Sequence, residues 1–279
     1  MKNKFKILYS LLGLILMFSA CTPDTYELGA LASKSSLKFT IAPSTSNPND
    51  IVLTSLTPNV TPQWITPNGV SLRVKDTVNV PFPGIYTFKY GVESDGGFVQ
   101  ADSVLVTIST LDKNTVSTPM WVNLAGGYGK SKTWVLDLNP IDGSSKLFNG
   151  PVYFAGVKAD GTAWEWDAQL SGNSWIMPVG DYGSMTFDLI GDAHFSSNNK
   201  MIPALGAATG KFMLYSSTSQ ISTSGAQLIH ASSQGTGQNW FSKMKIVSLT
   251  ANGLQVIATT DASNWVIYNY VSKDYYDSH

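Results

Sequence analysis

Residues 83–90 read Pro-Gly-Ile-Tyr-Thr-Phe-Lys-Tyr, with Ile85, Thr87 and Lys89 alternating with Tyr86, Phe88 and Tyr90. A strand sends successive side chains to opposite faces, so this stretch predicts a strand with one wholly aromatic face. A helix would turn Phe88 away from the other two rings. Short runs of the same kind occupy residues 37–41, 51–55, 71–74 and 98–108, punctuated by Pro43, Pro48, Pro58, Pro62, Pro67, Pro83 and Gly96-Gly97. Residues 36–110 therefore read as a small β-sandwich with Trp64 in its core. Residues 111–119 are polar, end in Thr118-Pro119 and read as a linker.

From residue 120 to 279 the pattern predicts ten further strands, at 121–124, 133–138, 152–157, 163–170, 184–190, 211–216, 226–230, 243–249, 253–259 and 265–271. Turn pairs such as Asp142-Gly143, Asp160-Gly161 and Asn252-Gly253 fall between them. No stretch shows a capped 3.6-residue period. The chain is thus expected to be all-β, a small β-sandwich followed by a larger jelly-roll-like β-sandwich.

Composition narrows the function. Of 279 residues, 43% are hydrophobic and only 13% charged, with 24 Gly, 12 Phe, 12 Tyr and 8 Trp. That supports packed cores and excludes global disorder. The net charge is −1 and Arg73 is the single arginine, so there is no basic stripe for nucleic acid.

The N-terminus sets an address. Lys2, Lys4 and Lys6 precede an apolar run over residues 7–18. The run is shorter than the ~20 residues of a membrane span and reads as a removable export signal. Cys21 is the only cysteine, which rules out an intramolecular disulfide. Phe18-Ser19-Ala20-Cys21 resembles the bacterial lipobox, with Phe18 where Leu is usual. The resemblance implies cleavage after residue 20 and acylation of Cys21, leaving residues 21–35 as a polar tether to the outer membrane. More than one acyl chain makes such anchoring stable. Asp24 and Glu27 faintly resemble the surface-export signal of Bacteroidetes lipoproteins.

Trp64, Pro83-Gly84-Ile85-Tyr86-Thr87-Phe88, Asp95-Gly96-Gly97 and the run at 104–109 together resemble the PKD (polycystic-kidney-disease) variant of the immunoglobulin-like fold. The resemblance covers about a quarter of the chain and implies a spacer, with nothing said about function.

Seven of the eight Trp lie beyond residue 120. Aromatic rings offer apolar faces to the C–H faces of sugars, and polar neighbours bind the hydroxyls. Trp134 and Trp265 sit in aliphatic runs and read as core. Trp164 and Trp166 are two apart and share one strand face, while Glu165, Asp167 and Gln169 share the other. Either the two Trp are buried beneath three exposed polar groups, or they form an open platform. Trp175 and Trp240 follow loop-like stretches, and Tyr128 and Tyr182 lie in Gly-rich turns, so these four are the candidate exposed aromatics. Asp167, Gln169 and Asn239 are the candidate hydroxyl partners.

Glu165-Trp166-Asp167-Ala168-Gln169 also resembles the Glu-x-Asp-x-Glu strand of family 16 glycoside hydrolases, whose two glutamates act as nucleophile and general acid. Here Gln169 replaces the acid and cannot supply its proton. Catalysis by Glu165 and Asp167 is therefore the alternative, and a binding protein the main reading. Gly126-Gly127-Tyr128-Gly129-Lys130-Ser131 fails as a phosphate loop, because Leu124 stands where its first Gly is required. His194, His230 and His279 lack ligand spacing, and no cofactor is expected. Calcium held by Asp and carbonyl oxygens near Asp181 or Asp192 stays open as an alternative, although no loop matches a known pattern.

The order of lipobox, tether, spacer and Trp-rich sandwich resembles surface glycan-binding lipoproteins of Bacteroidetes polysaccharide-utilisation systems. The resemblance implies capture of a polysaccharide, with a β-glucan as the guess, and delivery to an outer-membrane glycan transporter complex. A protein-binding accessory or adhesive lipoprotein is the remaining alternative.

Overall fold

The computed structural model describes residues 29–170, 172–231, 240–258 and 263–279. Cys21 and Asn239 lie outside the described residues.

The first unit is built from β1 (Phe39–Pro43), β2 (Asp50–Ser55), β3 (Thr61–Thr66), β4 (Gly69–Ser71), β5 (Lys75–Asn79), β6 (Gly84–Ser94), β7 (Gly97–Gln100) and β8 (Val104–Ile108). Strands β1, β2 and β5 form one antiparallel sheet, and β3, β4, β6, β7 and β8 form another. The aromatic face of β6 turns inward: Phe88 and Tyr90 are fully buried, while Ile85 is exposed. Tyr90 packs 4.5 Å from Trp64 and 4.6 Å from Phe39, ring centre to ring centre. Its hydroxyl meets Ser55 Oγ at 2.5 Å, so the polar tip is satisfied inside the core. Pro62 is not a break, since it lies within β3 opposite Val92. Only Trp64, Ile65 and Thr66 of β3 pair with β4, so the side of Pro62 that lacks an N–H has no ladder to serve.

The segment read as a linker is a packed junction. Asp112 is buried and accepts hydrogen bonds from Asn47 Nδ2 (2.9 Å), Asn79 Nδ2 (3.0 Å), and Thr115 N and Oγ1 (3.1 and 2.8 Å). Residues 121–124 are not a strand. They belong to α1 (Pro119–Ala125), which starts at Thr118 with Pro119 in its first turn. It ends at Gly126, which has φ 84° and donates its N–H to Val122 O. Proline at the start and left-handed glycine just past the end are helix punctuation, and this short helix carries both. The indole of Trp121 lies 5.5 Å from Phe82 of the first unit and 5.7 Å from Phe212 of the second.

The second unit contains β9 (Ser131–Leu136), β10 (Val152–Val157), β11 (Ala163–Ala168), β12 (Gly183–Asp188), β13 (His194–Asn199), β14 (Gly206–Tyr215), β15 (Gln220–Ser224), β16 (Met244–Leu249), β17 (Gly253–Ile257), β18 (Asn264–Ser272) and a final α2 (Lys273–Ser278). All ten strands belong to one antiparallel sheet. β9 and β12 to β18 pair in sequence, and β18 returns to β9, giving a barrel-like ring of eight with β10 and β11 attached outside it. Neighbours in sequence are neighbours in the ring, so the order is up-and-down rather than that of a jelly roll. A ring of eight strands is just wide enough for side chains to fill. Trp134, Phe187, Phe195, Leu228, Tyr268 and Tyr270 fill it here.

Residues 226–230, expected as a strand, are irregular yet buried. Tyr270 Oη donates to Ile229 O at 2.6 Å and Ala231 N donates to Tyr268 Oη at 3.2 Å, so phenols replace the ladder that a strand would supply. Strands β13 and β15 were not expected, because their inward positions include Ser197, Asn199 and Thr223 and show no apolar alternation.

Burial alone would raise the Asp112 pKa, but its hydrogen bonds overcome this and lower it from 3.8 to about 2. A lowered carboxylate pKa contributes stability that is present above the unfolded value and lost as pH falls through the folded one. The chain should therefore lose stability between about pH 4 and pH 2. Asp112→Asn should cost roughly 1–3 kcal/mol at neutral pH and flatten that part of the profile, measured by chemical denaturation across the range.

Candidate functional site

The site is positioned by one edge of β18. Along that edge Asn264–Tyr268 pairs with β10, and Tyr270–Ser272 pairs with β9. The chain leaves the edge after β9 and rejoins it as β10, and Asp137 holds the connecting loop. Its buried carboxylate accepts N–H groups from Lys146 (2.7 Å), Leu147 (3.0 Å) and Phe148 (2.6 Å), while Ser145 Oγ donates to Asp137 O (2.7 Å). Asn269 Nδ2 secures the far end through Gly150 O at 2.7 Å. The hairpin β10–β11 then extends past the ring, and among the described residues β11 pairs only with β10.

The hairpin face that continues the core is aromatic. Val152, Ala168 and Tyr268 are buried at its base. Farther out, Phe154 and Trp166 are directly opposite in register, with ring centres 5.4 Å apart and planes at 21°. Trp175 stacks on Trp166 at 5.9 Å and 20°. The turn bearing Trp175 is set by Ile176 N bonding Asn173 O, while buried Ile176 and Met177 anchor it in the core. Trp166 is 37% exposed and Trp175 73% exposed. Trp164 is half-buried and faces Gly156. A Cβ at Gly156 would lie 2.6 Å from Trp164 Nε1, so only glycine leaves room for this indole.

The opposite face is polar. Tyr153 Oη donates to Glu165 Oε2 at 2.5 Å, and Asn149 Nδ2 donates to Asp167 Oδ2 at 3.1 Å. The bond to Glu165, joined by desolvation and the nearby carboxylates, pushes the Tyr153 phenol up to about 12. A groove of about 460 Å³ runs here, lined by Phe148, Asn149, Tyr153, Glu165, Asp167 and Asn269 among others. A second hollow of about 280 Å³ shares Phe148 and Asn149 and adds Gln169 and Asp142. Neither lining includes a lysine or arginine. Trp265 lies opposite Ala155 on this same polar face and is half-buried, not a full core residue.

The sequence candidates therefore divide. Trp166, Trp175 and Trp164 sit on the aromatic face, while Asp167, Glu165 and Gln169 line the polar side. Tyr128 is 44% exposed, but Lys113 Nζ covers its ring at 4.8 Å. Two expected exposures are corrected. Tyr182 is 3% exposed and donates to Pro178 O. Trp240 is 4% exposed, stacked 3.9 Å from His230 and set edge-on to Tyr268. Both follow glycine-rich stretches but fold back into the core. Asp181 and Asp192 face Lys200 and Lys211 ammoniums at 2.5 and 2.6 Å. No cluster of metal-ligating side chains occurs among the described residues. Sequence reasoning missed Phe154, Tyr153 and Asn149. Phe154 and Tyr153 are recognisable only once the register of β10 on β11 is known.

Comparison with known proteins gives no match, either to a family model or to a curated sequence.

Asp137→Ala would leave the N–H groups of Lys146, Leu147 and Phe148 without this acceptor. It should cost roughly 2–3 kcal/mol in chemical denaturation. The Lys146, Leu147 and Phe148 amides should then exchange hydrogen faster than in the unaltered chain.

Proposed function

We propose that the second unit binds a polysaccharide through the aromatic row on the β10–β11 hairpin. In this reading the chain is a lipid-anchored outer-membrane protein that captures glycan for import, with the first unit as its spacer. One observation carries the reading: Trp175 is a large apolar ring held in a stack by Trp166 yet 73% exposed. An exposed, immobilised indole leaves apolar area in water that a ligand face can cover. It packs against the β10–β11 hairpin, whose opposite face carries carboxylates, an amide and a phenol. Binding is favoured over hydrolysis because Gln169 stands where the general acid is needed and cannot supply its proton. Acylation at Cys21 is the proposed anchor.

Two measurements test this. In affinity electrophoresis, the full chain in detergent should be retarded by at least one of β-1,3-glucan, β-1,4-glucan, mixed-linkage glucan, xylan or mannan, without release of reducing sugar. Retardation by none would remove the glycan reading, and release of sugar would favour the glycosidase. Cys21→Ala should abolish incorporation of labelled fatty acid and move the protein out of the membrane fraction. An unchanged membrane fraction would remove the lipid anchor.

A further inference from the structure

Three aromatic residues in a row suggest a surface that follows several sugars along a chain. The stacking geometry points elsewhere. A ring inserted between two others needs roughly twice the 3.5–4.0 Å contact distance. Trp166 and Trp175 are 5.9 Å apart and Phe154 and Trp166 are 5.4 Å apart, both near parallel. Nothing can enter between either pair, so a sugar cannot stack on Trp166 where Phe154 or Trp175 already packs against it. Phe154 is half-buried against the core at the inner end. Trp164, beside the row, is half-buried opposite Gly156. The open ring face is the outer side of Trp175.

We infer that the row is one platform a single pyranose ring wide, with Trp175 as the contacting residue and Trp166 and Phe154 as its buttress. The inference rests on the glycan reading above and narrows its ligand. The row is arranged in depth, from core to solvent, and not in length along a polymer. Recognition is therefore of one sugar residue with an unobstructed C–H face, as in pyranoses whose substituents are equatorial. Short oligosaccharides should fill the site. Trp166 is a positioning residue: it packs against Trp175 and sets the plane of that ring.

The test uses the full chain in detergent, with cello-, laminari- and xylo-oligosaccharides of two to six units competing against the polysaccharide that retards it. Affinity should level off by the trisaccharide. Trp175→Ala should weaken binding about tenfold or more, the equivalent of roughly 1.4 kcal/mol. Trp166→Ala should weaken binding comparably and abolish the circular-dichroism couplet of the stacked indoles. Trp166→Phe should lose the couplet but keep binding, because a flat ring still supports Trp175. Thermal melts of each variant separate loss of fold from loss of site. Affinity that keeps rising to the hexasaccharide, or Trp175→Ala binding as the unaltered chain does, overturns the single platform and leaves the glycan reading standing. Failure of the unaltered chain to bind any glycan overturns both.

Discussion

The second unit depends on β18 serving two strands along one edge. Its C-terminal half closes the ring with β9, and its N-terminal half carries β10, which carries β11 in turn. Had β9 run the full length of that edge, no hairpin could attach. The division holds because the loop between the two strands is fastened by a buried carboxylate. Burying Asp137 is unfavourable by itself, and three backbone N–H groups at 2.6–3.0 Å offset that desolvation. The same loop supplies Phe148 and Asn149 to the polar groove, so the device that splits the edge also furnishes one wall of the site.

A hairpin attached in this way has two usable faces. At its base both strands are bound into the core, and toward its tip the core runs out. The face that begins with Val152 and Tyr268 therefore ends in partly exposed Phe154 and Trp166. That continuity explains how a large aromatic surface is kept rigid in water: its inner end is ordinary core packing. The other face never meets the core and carries Glu165, Asp167 and Tyr153. Between the two units, Phe82, Trp121 and Phe212 make a continuous aromatic contact, while Asp112 ties the connecting segment to β5 and the turn before β2. Units joined through such packing hold a fixed orientation, which a flexible polar linker would not impose.

Different parts of this arrangement were legible to different degrees. The aromatic alternation at Tyr86, Phe88 and Tyr90 identified a strand and its inward face, because period-two patterning is written locally. The pairing of Trp164 with Trp166, and of Glu165 with Asp167, was equally visible for the same reason. Helix α1 was missed although Pro119 and Gly126 bracket it, since seven residues are too few to display a period. Strands β13 and β15 escaped because the residues they bury are partly Ser, Thr and Asn, whose inward direction follows from hydrogen bonds and not from hydrophobicity. Glycine-rich flanks suggested exposure for Trp240 and Tyr182, yet glycine shows only that the chain can turn there, not to which side.

The sequence by itself determined the all-β class and the two-faced character of residues 164–169. These depend on composition and on neighbours two positions apart. Only the tertiary structure decided that Trp166 stacks with Phe154 and Trp175, that Tyr153 faces Glu165, and that Trp240 is inside. The physical reason is that strand register, loop return and ring stacking join residues distant in the chain, and their outcome depends on long-range packing that no local pattern encodes.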